Sequence, residues 1–260
     1  RITIKNMLLD QQDYVIWRKI MHVLSKVGVA SLVLGMSCGM STTTMAAHSP
    51  GDILLRIGAV TVMPDTESGA VSGLPDGVNN ARVDVEDNTQ LSLTATYMLT
   101  SNLGVEVLAA TPFTHDIVGQ GDIEGVAVGE TQHLPPTLSL QYHFGSENGV
   151  FNPYIGVGLN VTMFFSEEVD GQLVDTLNTL PTIAGLGGIN SVNMELDPSI
   201  GLAAQAGVDV KVAENWYLNA AVWYIDISTT AELTTDLGTT HEVDVDIDPW
   251  VFNVAVAYKF

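Results

Sequence analysis

Eight stretches of this sequence alternate apolar side chains with small or polar ones, and the period of two runs through to the last residues. In WVFNVAVAYKF, residues 250–260, Trp250, Phe252, Val254, Val256, Tyr258 and Phe260 fall on one face. Val251, Asn253, Ala255, Ala257 and Lys259 fall on the other. A half-buried strand of a soluble protein also alternates, but it rarely carries an aromatic at each end of its apolar face. Aromatic girdles bounding an outward apolar band are the mark of a strand that crosses a membrane in a barrel.

The same phase can be followed through seven earlier segments. Around 52–62, Ile53, Leu55, Ile57 and Ala59 oppose Arg56, Gly58 and Val60; around 89–99, Leu91, Leu93, Ala95 and Tyr97 oppose Gln90, Ser92, Thr94 and Thr96. Around 103–111 the outward row is Leu103, Val105, Val107 and Ala109, with Glu106, Leu108 and Ala110 inward. Segments near 132–144, 151–165, 198–212 and 216–227 repeat the pattern, placing Gln141, His143, Tyr154, Asp209, Lys211, Asn219, Trp223 and Ile225 inward. With the terminal strand the count is eight, the smallest even number found in bacterial barrels.

The connections sort by length. Those at 100–102, 145–149 and 213–215 are short and turn-like, whereas 63–88, 112–131, 166–197 and 228–247 are long. Tight periplasmic turns alternating with large extracellular loops predict an eight-stranded antiparallel up-and-down transmembrane β-barrel in the outer membrane. The long connections also hold most of the acidic residues, and they account for a composition of 9 Lys+Arg against 30 Asp+Glu and a net charge of −21. That balance excludes nucleic acid as a partner. Weak attraction of divalent cations is open, but DVED at 84–87 and DVDID at 244–248 lack the glycine and closing glutamate of a calcium loop, so no metal site and no cofactor are expected.

Residues 21–47 have a weakly basic start, an apolar stretch from Val27 to Met36 and small residues ending in Ala46 and Ala47. This predicts a secretory signal peptide starting at Met21 and cleaved after Ala47, with residues 1–20 as an extension and 48–260 as the barrel. The apolar stretch is too short for a membrane helix. Cys38, the sole cysteine, lies in the removed segment; Gly35 stands where a lipoprotein signal usually has Leu.

Placing the short turns in the periplasm fixes depth. Arg56, Glu106, Gln141, His143, Asp209, Lys211, Asn219 and Lys259 then crowd the periplasmic half of the lumen, where opposite charges are expected to pair into a polar plug. Higher up, Leu108, Trp223 and Ile225 are large and apolar: either simple lumen filler or the wall of an apolar pocket open to the outside. Pro112, Pro135 and Pro136 either end strands or loosen the pairing beside them.

The segments NTQLSLTATYM (88–98), NLGVEVLAATPFTH (102–115), HLPPTLSLQYHFG (133–145), NPYIGVGLNVTMFF (152–165), AAQAGVDV (203–210), NAAVWYIDISTTA (219–231) and DPWVFNVAVAYKF (248–260) resemble, in order, the outer membrane protein W family and its alkane-uptake relatives. The resemblance implies an eight-stranded barrel that admits small hydrophobic solutes through a pocket opening outward, with Leu108 and Trp223 as a hydrophobic constriction. It also implies that Phe260 matches the terminal aromatic read by the barrel assembly machinery. Outer-membrane lipid and lipopolysaccharide are the expected surroundings. The loops at 63–88 and 166–197 depart from the family pattern, so ligand preference does not carry over with them.

The expected mechanism is entry from outside past Leu108 and Trp223, arrest at the plug and lateral release into the membrane. The alternative is a non-conducting structural or receptor barrel for phage or colicins, whose lumen should be polar throughout. A lipid-acting enzyme would need a hydrogen-bonded set drawn from His115, His133, His143, His241 and Ser139, and the strand phases bring none together.

Overall fold

The computed structural model describes residues 48–71, 80–145 and 149–260. The expected signal peptide, Met21, Cys38 and the cleavage point lie outside them. In chain order the strands are β1 (Ile53–Met63), β2 (Glu67–Ser68), β3 (Ala81–Val85), β4 (Asn88–Met98), β5 (Leu103–Ala110), β6 (Phe113–Gly121), β7 (Ala127–Leu134), β8 (Thr137–His143) and β9 (Phe151–Val169). Helices α1 (Gly171–Asn178) and α2 (Pro181–Gly185) follow, then β10 (Val192–Leu196), β11 (Ser199–Lys211), β12 (Trp216–Ile225), β13 (Ser228–Thr235), β14 (Thr240–Asp246) and β15 (Trp250–Lys259).

Eight of these strands close a barrel in the order β1, β4, β5, β8, β9, β11, β12, β15, every neighbour antiparallel. Closure joins the first barrel strand to the last, from Leu54 opposite Lys259 to Met63 opposite Trp250. Such a ring leaves no unpaired edge, the condition for strands to cross lipid. The outward rows read from the sequence face away from the lumen: Val254 is 68% exposed and Ile200 77%. An apolar surface of that extent is stable in lipid and a liability in water. Two girdles bound it. Trp216, Tyr258 and Phe260 pack edge-on at 4.9 and 4.7 Å near the turns, and Tyr224 lies 5.3 Å from Trp250 at the other margin.

Close approach of β1 to β15 depends on one glycine. A Cβ at Gly58 would collide with the Val254 carbonyl and the Ala255 backbone.

The long connections expected as loops are instead mostly β-structure, and this is the main correction to the sequence reading. β3, β6 and β7 pair with the upper part of the unbroken β9, while β10, β13, β14 and β2 form a second sheet in that order. Each continues a barrel strand across a break of two or three residues: 64–66, 86–87, 111–112, 135–136, 197–198, 226–227 and 247–249. Pro64, Pro112, Pro135, Pro136, Pro198 and Pro249 stand in these breaks. Proline has no N–H for a ladder and fixes φ, so it ends regular pairing where it falls. The ring of breaks lets the strands leave the barrel curvature and regroup as two sheets above the membrane. Their facing sides are apolar, and α1 closes over one end with Leu173 buried and its N-cap Asp170 accepting from Gln172 N at 2.8 Å.

Candidate functional site

Three layers stack along the barrel axis. The lowest is polar. Arg56, 1% exposed, donates through Nε and Nη2 to both carboxylate oxygens of Asp209 at 3.1 and 2.7 Å, and through Nη1 to Glu106 Oε2 at 3.1 Å and Thr96 Oγ1 at 2.7 Å. The Tyr154 ring lies 5.3 Å from the guanidinium carbon. Asn219 donates to Asp209 Oδ1 and Tyr154 Oη, each at 2.9 Å, and Gln205 donates to Glu106 Oε1 at 3.2 Å. Buried charges require such saturation, because an unpaired one loses its hydration with nothing in return.

His143 joins this layer through Gln141 Oε1 at 3.1 Å and stacks on Tyr154 at 5.0 Å. His48 meets it edge-on at 5.0 Å from the periplasmic side. Lys211 is placed differently from its expected role: it is only half-buried and lies outside the Arg56 network, because it sits at the mouth where β11 ends. Lys259 pairs with Asp52 at 3.2 Å on the same rim. Phe260 is exposed in the lower girdle, its N–H bonded to Ile53 O at 2.9 Å.

The middle layer is apolar and filled. Leu108 and Trp223, 5% and 1% exposed, pack with Val60, Val62, Phe113, Ile225, Ile227 and Val251. Trp223 Nε1 has no hydrogen-bond partner among the described residues.

Above it, between the two outer sheets, lies an apolar cavity of about 50 Å³, the volume reachable by the centre of a water molecule. Val62 and Ile227 reach it from the filled layer below; Val83, Ile117 and Val128 line one wall, and Met194, Ala231, Leu233, Val243 and Val245 the other. A second apolar space shares Val83, Val128 and Leu233 with it and continues under Leu173 and Leu177 of α1. Along one side runs a file of four rings, Phe113, His133, His115 and Phe164. Centroids are 5.2 Å from Phe113 to His133, 4.8 Å from His133 to His115 and 5.9 Å from His133 to Phe164. Burial pushes His133 down to about 3, with the neighbouring His115 a smaller contribution. Burial also lowers His115, opposed by the Glu86 carbonyl and by the charges of Asp87 and Asp116. Both rings are therefore neutral near pH 7.

The remaining candidates separate. Ser139 and His143 lie four residues apart on β8, about 13 Å at the rise of a strand, and His241 faces the space under α1. Among the described residues no group of three or more His, Cys, Asp or Glu side chains is placed to hold a metal. Residues 244–246 are part of β14, with Val243 and Val245 buried and Asp244 and Asp246 facing water. Sequence reasoning missed the His115/His133 pair because His115 was assigned to the long connection at 112–131 while His133 fell at the start of the strand segment near 132–144; the signal was the alternation of Phe113, His115 and Ile117.

The sequence and the barrel match known proteins. The OmpW family profile covers residues 49–260. The chain belongs to the OmpW family. Outer membrane protein W of Vibrio cholerae is 42% identical over 229 residues, 87% of this chain and 97% of the relative. More distant are AlkL of Ectopseudomonas oleovorans, 25% identical over 238 residues (89% and 94%), and the dibenzothiophene metabolism operon protein PahQ of Pseudomonas aeruginosa, 25% over 230 residues (88% and 97%). The crystal structure of OprG from Pseudomonas aeruginosa superposes with a TM-score of 0.71 at 37% identity, covering 83% of this chain and 99% of that one. As a member of this family the chain is an outer-membrane barrel and not an enzyme.

Proposed function

We propose that this barrel takes small hydrophobic molecules from the outside into the cavity between its outer sheets and releases them sideways into the membrane. The observation that carries the reading is an apolar cavity between the outer sheets, seated on a lumen that is filled below it. A solute reaching the cavity floor meets Leu108 and Trp223, then the Arg56 network. Moving down would require the solute to break desolvated ion pairs, and a hydrocarbon offers nothing in exchange. The relation to PahQ, by its name a product of an operon for an apolar aromatic compound, supports the same class of solute.

A lateral path has a physical basis at the proline breaks. β5 pairs with β8 up to Leu108 opposite Thr137, and β6 pairs with β7 from Phe113 opposite His133. Between these points neither Ala109–Pro112 nor Leu134–Pro136 has a ladder partner across the seam. Each edge is instead held by its other neighbour: Thr111 N donates to Leu91 O at 3.0 Å, and Val161 N to Pro136 O at 3.1 Å. A seam without cross-strand hydrogen bonds opens at less cost than a continuous ladder.

The alternative, a passive structural or receptor barrel, has no use for an apolar cavity above the girdle. Phe260, packed in the lower girdle, is proposed as the residue recognised during barrel assembly. The uptake reading is tested in asymmetric vesicles with an outer lipopolysaccharide leaflet. Ala231→Trp, which fills the cavity, should abolish accelerated naphthalene uptake, and Trp223→Ala should alter its rate with the barrel still folded. Equal uptake by wild type, both variants and empty vesicles would overturn it.

A further inference from the structure

We propose that α1 is a lid over the outer end of the cavity, slung between two pinned ends, and that it unseats to admit a solute; this rests on the cavity being the solute site. The two apolar spaces share Val83, Val128 and Leu233, and the second continues to Thr235 and His241 beside the β13–β14 turn, the part of that hairpin farthest from the barrel. Leu173 and Leu177 of α1 stand over that end. The segment carrying α1 passes from one outer sheet to the other. At its start Asp170 N donates to Val128 O of β7 at 2.9 Å. At its finish Asn190 N and Nδ2 donate to Asp236 Oδ2, just past β13, at 3.1 and 2.8 Å. Asn178 is fixed to the same end: its Oδ1 accepts from the N–H of the buried Ile189 at 2.8 Å, and its Nδ2 donates to Ile189 O at 2.9 Å.

Between these ends the helix is held lightly. Leu173 and Leu177, four residues apart, share one helical face, yet only Leu173 is fully buried and Leu177 is buried in part. An eight-residue helix is too short to keep its shape in water by itself, so α1 persists only while this face is seated, and unseating and unwinding are one event. The walls of the cavity are tied differently. Ladders join β6 to β7 and β7 to β9 on one side, and β10 to β13 and β13 to β14 on the other. Parting a sheet would break several backbone hydrogen bonds together. Lifting α1 releases Ala127 N from Gln172 Oε1, a long bond at 3.4 Å, and uncovers one fully buried leucine. The lid is therefore the part of the cavity wall that opens at least cost.

The test reads the lid and its gating in the full barrel. In lipid nanodiscs, amides of residues 173–178 should exchange about 100-fold faster than those of β7 and β13; exchange as slow as in the sheets would overturn the proposal. Naphthalene uptake is then followed in asymmetric vesicles. Leu173→Asn/Leu177→Asn removes the apolar seat and should speed uptake about tenfold. Gly171→Ala, where an added Cβ meets open space, strengthens the helix and should slow uptake about threefold. Leu186→Asn, at an exposed leucine outside α1, should leave the rate unchanged. A misfolded barrel loses uptake, so a gain in the seat variant reports the lid. Equal rates in wild type, the seat variant and Gly171→Ala, all above empty vesicles, would overturn this inference alone. A wild type no faster than empty vesicles would overturn the uptake reading, and the lid's role with it.

Discussion

Replacing Arg56 with methionine tests the ion network in the lower lumen most severely, since it removes the only cation from a site holding two carboxylates. Asp209 would lose both of its charge-assisted bonds and keep Asn219 at 2.9 Å; Glu106 would lose the guanidinium and keep Gln205 and Thr96, each at 3.2 Å. Both carboxylates are buried, at 0% and 1% exposure. Removing one partner of a buried pair costs about 3–5 kcal/mol, and here two anions are stranded, so the upper end of that range applies. The triple change Arg56→Met/Glu106→Gln/Asp209→Asn removes the charges together and should cost less than the single substitution, about 1–2 kcal/mol. Urea titrations of the barrel in vesicles, followed by the shift in electrophoretic mobility of the folded form, give the midpoints. A triple variant destabilised by the sum of its parts would refute the claim that these residues act as one desolvated unit.

Two further outcomes follow from other parts of the molecule. Gly58→Val places a Cβ against the Ala255 backbone and should prevent β1 from closing on β15; loss of the folded band on unheated gels, with the chain still exported, is the expected result. Near neutrality His133 is neutral and buried, with its folded value held at about 3 against 6.5 in the unfolded chain. The unfolded form therefore binds the extra proton, and stability of the outer sheets falls as pH drops from 6.5 towards 3, by about 1.4 kcal/mol per pH unit for this one group. Amide exchange in β6 and β7 should accelerate over that window in the wild type and much less in His133→Phe, while exchange in β12 and β15 is unchanged.

The barrel was readable because lipid imposes a stricter pattern than water does. Rows such as Trp250, Phe252, Val254 and Val256 carry no polar interruption, so the phase and with it the inward positions of Arg56, Glu106, Asp209 and Trp223 followed directly. The outer sheets were hidden by the converse: one of their faces meets water, and acidic residues fill it. HEVDVDI at 241–247 reads as an acidic loop by composition, yet Val243, Val245 and Ile247 alternate toward the cavity. The prolines at 64, 112, 135, 136, 198 and 249 stand in five of the seven breaks at which strands restart, a signal that is visible only once the breaks are seen together. Leu108 and Trp223 were placed inward correctly, but the free space lies above them, because their own layer is packed. The contributions of Tyr154 and Gln205 to the ion network depend on contacts across the lumen, which no single strand's period contains.

The account turns on whether an apolar solute occupies the space between the outer sheets. A crystal structure of the protein soaked with 1-bromonaphthalene answers this, since the bromine is located by its anomalous signal. The account predicts a peak within the cavity bounded by Ile117, Val128, Ala231 and Val245, above the Trp223 layer. Bromine found only on the lipid-facing surface, or below Trp223 among the Arg56 network, would contradict it.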